Sequence, residues 1–307
     1  MVAGLSPGTE IDMRTLLEGG TFYEGARWHE GAWYVSDIYA ERVMRVAPGG
    51  AAEVVVDVPQ QPSGLGFMPD GSLLVVSMKD RRLLRRTAQG ALLAHADLSA
   101  LTANFCNDMV VDATGRAYVG NLGFDLFNHG QPADTTLLRV DANGEVCVAA
   151  DGLRFPNGTV ITADGRTLIV AESFRACLTA FTIAADGTLG ERRCHAELGI
   201  VPPWHSMETM LQTDFIPDGC AIDAEDHVWV ADAMGGRAVR VAPNGRVVET
   251  VQAPAGYGVF ACALGGVNGN SLLLCAAPDF SDVKRKASRE AVLYVTDVAV
   301  PRGAGLP

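Results

Sequence analysis

The sequence lacks the apolar runs that membrane proteins need. No stretch approaches the ~20 consecutive apolar residues of a bilayer-spanning helix. The N-terminal segment MVAGLSPGTEIDMRTLLEGG also lacks the basic-then-apolar order of a secretory signal peptide. Both absences predict a cytoplasmic protein with no membrane partner.

Positive charge is in the minority. Against 36 Asp and Glu the chain has 24 Lys and Arg, which gives a formal net charge of −12. Nucleic acid or an anionic lipid surface would be repelled by such a chain. Neither is therefore an expected partner. The expected partner is a small molecule, and the protein is expected to be a monomer or a weak dimer.

Cysteine chemistry is equally sparse. The seven cysteines are odd in number and scattered, and no two form a Cys-x-x-Cys pair. This pattern argues against a disulfide framework and against a thiolate zinc site. Most of the cysteines lie in apolar, strand-like contexts and are expected to be small buried residues.

Helix signals are nearly absent, and a repeat of short strands takes their place. The 34 glycines and 15 prolines interrupt the chain too often for long helices. A turn followed by a β-rich run recurs as EGAWYV, DGSLLV, TGRAYV, DGRTLIV, EDHVWV and NGNSLLL. Further β-rich runs follow these copies, such as RVMRVAP and RAVRVAPNG. Four short strands in a unit of about 40 to 60 residues are typical of a β-propeller blade.

The predicted fold is therefore all-β: one six-bladed β-propeller domain over residues 1–307, with four antiparallel strands in each blade. A β-sandwich is the alternative, but a sandwich has no reason to repeat its hairpins in this way. In a propeller the innermost strands surround the axis, so residues at equal positions in the repeats lie on one rim.

Four polar residues recur at one position in the repeat, each followed by Gly or Asp. They are Glu24, Asn107, Asn157 and Asp218, and each precedes a strand-ending valine at a similar distance. Equal position predicts that the four converge on the axis. Carboxylate and carboxamide oxygens suit a divalent cation. Turn formation is the alternative for any single Asn-Gly or Asp-Gly pair.

The other two repeats differ at this position. The second repeat has Ser63-Gly64 there, and in the sixth the position falls near Cys262, a poor ligand for a hard cation. The predicted cation site therefore draws on blades one, three, four and five.

Motifs around these positions resemble those of a known family. EGARW begins at Glu24, NDMVVD at Asn107, FPNG includes Asn157, and PDGCAID includes Asp218. Over nearly the whole chain the sequence resembles the gluconolactonase, regucalcin and luciferin-regenerating-enzyme family. The resemblance implies a six-bladed propeller with one divalent metal in its central channel, and lactone hydrolysis as the commonest activity. Matched by position, Glu24, Asn157 and Asp218 are the direct ligands, and Asn107 holds the metal, or its water and substrate, on a fourth side.

The chemistry follows from such a centre. Oxygen-only donors favour Ca²⁺, followed by Mg²⁺ or Mn²⁺, although a site with three protein ligands also accepts Zn²⁺ or Fe²⁺. The ion would polarise a lactone carbonyl and lower the pKa of a water. Asp218 and Asn107 are the candidate catalytic residues. Asp218 would orient or deprotonate the water, unless the ion activates it unaided.

One departure from the family concerns the substrate. Members that open sugar lactones often have an arginine two residues before the position of Asn107, where this chain has Phe105. The equivalent positions before the other ligands hold Phe22, Phe155 and Ile216. If these side chains face the channel, the substrate is less polar than a hexonolactone. Packing between blades is the alternative.

Two connections are longer than the repeat requires, residues 121–136 and 188–217. Long loops on a functional rim often form lids or specificity walls, and Asn121 and Trp204 are the candidate substrate contacts. His129 and His205 lie in the same loops and are weaker candidates for proton transfer.

Several other charged or polar groups have structural explanations. The second strand of most blades closes on a polar residue that is expected to cap the hairpin, with support of the ligands as the alternative. These residues are Asp37, Asn121, Glu172 and Asp232. The basic cluster at residues 284–286 is expected to be a solvated loop.

Two other functions remain open at this point. The same centre could hydrolyse organophosphates or phosphoesters, because a metal that polarises C=O also polarises P=O. Alternatively, the propeller is a non-enzymatic binding module in which the metal is structural.

Overall fold

Six four-stranded sheets form the protein. The structure, a computed structural model, describes residues 13–201 and 203–303. Within these residues the strands form six separate antiparallel sheets, and the innermost strands of successive sheets contact one another around a ring. The predicted six-bladed β-propeller is confirmed. Residues 1–12, which entered the signal-peptide argument, lie outside the described residues.

The strands follow the chain from the axis outward in blades one to five. Blade one contains β2 (Tyr23–His29), β3 (Ala32–Asp37), β4 (Arg42–Val46) and β5 (Ala52–Asp57). Blade two contains β6 (Pro62–Phe67), β7 (Leu73–Ser77), β8 (Arg82–Arg86) and β9 (Leu92–Asp97). Blade three contains β10 (Cys106–Val111), β11 (Ala117–Asn121), β12 (Thr135–Val140) and β13 (Val146–Leu153). Blade four contains β14 (Pro156–Ile161), β15 (Thr167–Glu172), β16 (Cys177–Ile183) and β17 (Leu189–Glu197). Blade five contains β18 (Pro217–Ile222), β19 (Val228–Asp232), β20 (Arg237–Val241) and β21 (Val247–Gln252).

Blade six is completed by the N-terminal part of the described chain. It contains β22 (Gly258–Gly265), β23 (Ser271–Ala277), β24 (Ala291–Asp297) and, as its outermost strand, β1 (Arg14–Gly20). β1 pairs antiparallel with β24 from Arg14 opposite Val295 to Gly20 opposite Ala291. This pairing closes the ring and covers an edge of β24 that would otherwise be open. Sequence alone did not reveal it.

Burial falls from the axis outward, as the residue types require. Every residue of β14 is buried, whereas β17, the outermost strand of the same blade, is mostly exposed. The core lies between facing blades. One cluster joins Leu74 and Leu83 of blade two with Val119 and Leu138 of blade three. Burial of each such side chain contributes roughly 1.5–3 kcal/mol to the free energy of folding.

Helices are short, as the glycine and proline content predicts. Within the described residues, the α-helices are α1 (Met207–Met210) and α2 (Asp282–Ala287), and two 3-10 turns span Ile38–Ala40 and Ser173–Arg175. In the described part of the chain, no helix has the length and apolar character needed to cross a membrane.

Two sequence expectations about connections were wrong. The basic cluster at residues 284–286 lies in α2, and Arg285 is buried, with ion pairs to Asp279 and Glu290. In the stretch 188–217, residues 189–197 form β17, so the connection itself is residues 198–216. The sequence of β17 is rich in Arg and Glu and shows no alternation of apolar and polar residues, so it was interpreted as part of a loop.

Candidate metal centre

The register of the innermost strands shows that the candidate ligands occupy equivalent positions. The residue before each of them pairs with the polar residue that closes the second strand: Tyr23 with Asp37, Cys106 with Asn121, Pro156 with Glu172, and Pro217 with Asp232. Each innermost strand then has a β-bulge close to the ligand. Bulges change the direction of side chains at the end of a strand, so one local device serves all four positions.

The glycines after the ligands are required by the close approach of neighbouring strands. A Cβ on Gly25 would lie 2.2 Å from the carbonyl oxygen of Ser63, and one on Gly158 would lie 2.4 Å from that of Asp218. No side chain fits in either space. The Glu-Gly and Asn-Gly pairs therefore lie inside strands at the contact between blades, so turn formation does not explain them.

The four residues share one cavity of about 110 Å³ at the rim. Glu24, Asn107, Asn157 and Asp218 all contribute to its lining. Three of them, Glu24, Asn157 and Asp218, are also buried. The polar residues thus meet where the repeat predicts them.

Hydrogen bonds fix the orientation of both asparagines. Asn157 Nδ2 donates to Ser173 Oγ at 3.2 Å, and Ser173 Oγ donates to the carbonyl oxygen of Pro217 at 2.8 Å. The single hydroxyl proton of Ser173 is used in the bond to Pro217, so Ser173 can only accept from Asn157. Asn157 therefore presents its amide NH2 group to Ser173, and its Oδ1 remains available for a cation. Asn107 has the opposite arrangement, because Ser63 Oγ donates to its Oδ1 at 3.1 Å. Its Nδ2 protons remain available as donors.

The two carboxylates are unfavourable as anions in these surroundings. Burial, followed by repulsion from Asp218 and Asp108, raises the pKa of Glu24 well above its usual range. Burial and repulsion from Asp108 likewise raise the pKa of Asp218. Asp218 Oδ1 is buried without a hydrogen-bond partner. A buried acceptor without a partner is costly, and a bound cation would relieve that cost.

The donor set fits a hard divalent cation. Two carboxylates supply charge and Asn157 supplies a neutral oxygen. Across residues 13–201 and 203–303, no three His, Cys, Asp or Glu side chains are grouped as a metal site. A cation at this cavity would therefore be held by the two carboxylates together with oxygens of other kinds, of which Asn157 Oδ1 is one.

A buried ion pair next to the centre was not found from sequence. Asp108 Oδ1 accepts a hydrogen bond from Arg27 NH2 at 3.1 Å, and both side chains are largely buried. Burial raises the pKa of Asp108, whereas Arg27 lowers it. The available signal was that Asp108 follows its candidate ligand where Gly25, Gly158 and Gly219 follow theirs.

The residues two positions before the ligands are also equivalent. In five blades the backbone carbonyl of this residue accepts a hydrogen bond from the amide that follows the second strand: Ile38 to Phe22, Met78 to Gln61, Leu122 to Phe105, Ser173 to Phe155, and Ala233 to Ile216. Phe22, Phe155 and Ile216 line the cavity. Phe105 does not line the cavity. It packs on Phe127, a lining residue, with ring centroids 5.8 Å apart. The fifth residue, Gln61, also lines the cavity and was missed from sequence because Ser63 is not a charged or amide ligand.

The two other predicted substrate contacts lie outside the cavity lining. Asn121 is buried, donates to the carbonyl oxygen of Thr136 at 2.7 Å and accepts from Gly123 N and Thr135 Oγ1. These bonds cap the hairpin and leave little capacity for a substrate. Trp204 packs on Phe174, a lining residue, with ring centroids 6.0 Å apart, and so supports the wall from behind.

The remaining candidates are placed as follows. His129 and His205 are exposed and do not line the cavity. In blade six, where the repeat position was expected near Cys262, Phe260 lines the cavity and Cys262 does not. Cys262 lies deeper along β22, where its Sγ donates to the carbonyl oxygen of Gly219.

The polar residues that close the second strands hold the wall residues. Asp37 accepts from the backbone N–H of Phe22, and Asp232 from that of Ile216. Glu172 accepts from the N–H of Arg154, the neighbour of Phe155. Hairpin capping therefore also fixes the backbone next to the candidate ligands.

The chain is similar to known proteins over most of its length. The SMP-30/Gluconolactonase/LRE-like region matches residues 22–278. A 6-deoxy-6-sulfogluconolactonase from Pseudomonas putida is 26% identical over 278 residues, which cover 89% of this chain and 89% of that protein. The pentonolactonase XacC from Haloferax volcanii is 28% identical over 262 residues, which cover 83% of this chain and 81% of that protein.

A solved structure shows the same fold. A regucalcin from Agrobacterium tumefaciens, described as a calcium-binding protein, has a TM-score of 0.78 at 22% identity and 97% coverage of both chains. Together with the match over residues 22–278, the motifs identify the family. The chain belongs to the SMP-30/gluconolactonase/LRE-like family.

Proposed function

We propose that the protein is a divalent-cation-dependent lactone hydrolase. The observation that carries the proposal is the buried, unpartnered Asp218 Oδ1 in the cavity that Glu24 and Asn157 also line. Two relatives named as lactonases, aligned over more than four fifths of this chain, support the reaction class.

Glu24, Asn157 and Asp218 would hold the cation, which when bound would polarise the lactone carbonyl and acidify a water. The relative described as calcium-binding, and the all-oxygen donor set, support Ca²⁺ as the ion. The chain's own groups then act on the substrate. Through the carboxylate oxygen that does not hold the cation, Asp218 would orient the attacking water and take its proton as the water oxygen bonds to the carbonyl carbon. The same carboxyl would return that proton to the ring oxygen as the ring C–O bond breaks. Asn107 Nδ2 donates a hydrogen bond to the oxygen on which negative charge develops.

The walls exclude water and select the substrate. Phe22, Phe155, Ile216 and Phe260 line the cavity, and no arginine does. Each substrate methylene buried against such a wall gains roughly 0.8 kcal/mol. A sugar lactone carries several hydroxyl groups, more than the single unpaired amide of Gln61 can serve, and each one left without a partner costs roughly 1–3 kcal/mol. We therefore propose a preference for aliphatic or aromatic lactones over gluconolactone or xylonolactone.

Metal removal tests the proposal. Dialysis against a chelator should abolish ring opening of an aliphatic γ-lactone, and addition of Ca²⁺, Mn²⁺, Zn²⁺ or Mg²⁺ should restore it. Asp218→Asn preserves the shape of the side chain and should reduce kcat by at least about a hundredfold. Full activity in Asp218→Ala would overturn the proposed function. A clear preference for sugar lactones across a panel of lactones would overturn the proposed substrate preference.

A further inference from the structure

Gln61 is an unexplained polar residue in an apolar wall. It is 4% exposed, lines the cavity, and belongs to the five equivalent residues whose other members are Phe or Ile. Its Nε2 is buried and has no hydrogen-bond partner within the described chain. Among the lining residues that the structure describes, only one other buried side-chain atom lacks a partner, Asp218 Oδ1.

The backbone around Gln61 holds the side chain in place. Its N–H donates to the carbonyl oxygen of Val58 at 3.0 Å, and its carbonyl oxygen accepts from Met78 N at 2.9 Å. Its φ of 68° lies in the left-handed region, which is unfavourable for a residue with a Cβ. A strained residue with an unpaired buried donor is unfavourable for folding, and such costs are typical of ligand-binding positions.

The position of Gln61 indicates which part of the substrate it contacts. It lies two residues before Ser63, in the set that includes Phe22 and Ile216, whereas the candidate ligands occupy the later position. The lactone ring and its carbonyl are accounted for by the ligands and Asn107. Gln61 therefore faces the part of the substrate that the walls enclose, beyond the ring.

The mouth of the cavity shows that this part is apolar. Phe127, Leu211 and Met234 line the cavity and expose between 36% and 56% of their surface. An apolar substituent that leaves the ring would cover these side chains. An otherwise apolar substituent with one hydrogen-bond acceptor matches both the walls and the buried amide.

We infer that Gln61 is a specificity-determining residue that donates a hydrogen bond to a carbonyl on the substituent of the lactone. The preferred substrates are thus lactones with an apolar substituent that carries one amide or ester carbonyl outside the ring. This assignment rests on the proposed lactonase function and narrows its substrate class.

Two lactones of matched chain length test the assignment, an α-acylamino-γ-butyrolactone and an α-alkyl-γ-butyrolactone, with Ca²⁺-loaded protein. Wild type should prefer the acylamino compound. Gln61→Met keeps the length of the side chain and removes the donor, so kcat/KM for the acylamino lactone should fall about tenfold and that for the alkyl lactone should change less than about twofold. Gln60→Met, the same change at the exposed neighbouring residue, should alter neither value.

An equal loss on both lactones, or no loss on either, would overturn the role of Gln61 while leaving lactone hydrolysis intact. If wild type opens neither lactone, the proposed function fails and binding decides the question. In that case calorimetry with the intact acylamino lactone should give a Kd about tenfold weaker for Gln61→Met than for Gln60→Met. Equal Kd values would then refute the assignment. Melting temperature controls for folding, and Gln61→Met should melt no lower than wild type because it removes an unpaired donor.

Discussion

The buried carboxylates of Glu24 and Asp218 lower the stability of the fold and would provide oxygen ligands for a cation. Glu24 and Asp218 are buried near Asp108, and the causes that favour the charged form of Glu24, a hydrogen bond from Gly25 N and the charge of Arg27, do not offset burial and the neighbouring carboxylates. Hydrophobic residues at these positions would stabilise the fold more. The proposed cation accounts for these buried carboxylates, and with it the stability of the protein should depend on pH and on the ion together.

The pH dependence of the cation-free protein has a definite sign. The pKa values of Glu24 and Asp218 are raised in the folded protein by burial and by neighbouring carboxylates, whereas in the unfolded chain they are near 4. At pH values between the unfolded-state pKa and the raised folded-state pKa, the folded state binds more protons than the unfolded state. The free energy of unfolding therefore falls as pH rises through this interval. A bound cation replaces the protons. The increase in melting temperature caused by Ca²⁺ should therefore grow as pH rises from about 4.5 to 8.

Thermal unfolding in chelator and in excess Ca²⁺, across that pH range, measures this effect. Glu24→Gln removes one of the titrating groups and should flatten the dependence. An increase in melting temperature that stays constant with pH in wild type would contradict the explanation.

Residues were predictable to the extent that the repeat places them. Glu24, Asn107, Asn157 and Asp218 were found because equal positions in a repeat occupy equal positions in space. Gln61 obeys the same rule, but it was found only when backbone hydrogen bonds extended the rule to blade two. The Asp108–Arg27 pair joins two different blades, and no periodicity within one strand reports such a contact.

At the scale of the element, the innermost strands depend on close contact between blades. β14 has no side chain at Gly158, and a Cβ there would lie 2.4 Å from the carbonyl oxygen of Asp218 and 2.5 Å from the N atom of Cys220. Both of these atoms belong to β18, which carries a candidate ligand. Strand separation and ligand geometry are thus set by the same contact.

Gly158→Ala should separate β14 from β18. Because the clash is with backbone, no side-chain rotation can relieve it, and we expect a loss of about 1–3 kcal/mol in the free energy of unfolding. Ca²⁺ affinity should fall as well, because Asn157 and Asp218 move apart. Denaturant unfolding and calorimetric titration measure the two effects.

Gly49→Ala is the matched control, since a Cβ on Gly49 meets nothing within 4 Å and its φ is not in the left-handed region. It should leave stability and Ca²⁺ affinity close to wild type. Equal effects of the two substitutions would show that the contact between β14 and β18 does not fix the centre.

Elements were predictable where local patterns define them. The turn-plus-strand copies identified the inner strands of all six blades, because each copy buries its own apolar run. β17 and α2 were misassigned, since an outermost strand and a short surface helix bury too little to show periodicity. The equivalence of the Gly-containing positions was visible in the sequence, but its cause, the contact between blades, was not.

At the scale of the whole molecule, the ring is held by a pairing between distant parts of the chain. β1 joins β24 across nearly the full length of the described sequence. Sequence repeats predicted the number of blades but not this closure, because a repeat describes each unit and closure depends on a contact between the first segment and the last. The cavity is lined by residues of both blades at this junction, Phe22 and Glu24 of blade one and Phe260 of blade six, so its shape depends on how these two blades meet.

Leu16 provides the test of closure. It lies in β1, is buried, and packs in a cluster that includes Trp33 of blade one and Leu293 of blade six. Leu16→Ala removes contacts on both sides of the junction and should lower the free energy of unfolding by about 2–4 kcal/mol. Thr15→Ala, an exposed neighbour in the same strand, should change it by less than about 0.5 kcal/mol.

Because the junction completes the ring on which the cavity depends, Ca²⁺ should protect wild type against urea more strongly than it protects Leu16→Ala near the unfolding midpoint of each protein. A Leu16→Ala protein as stable as Thr15→Ala would show that the contacts between innermost strands, including that of β2 with β22, hold the ring without β1.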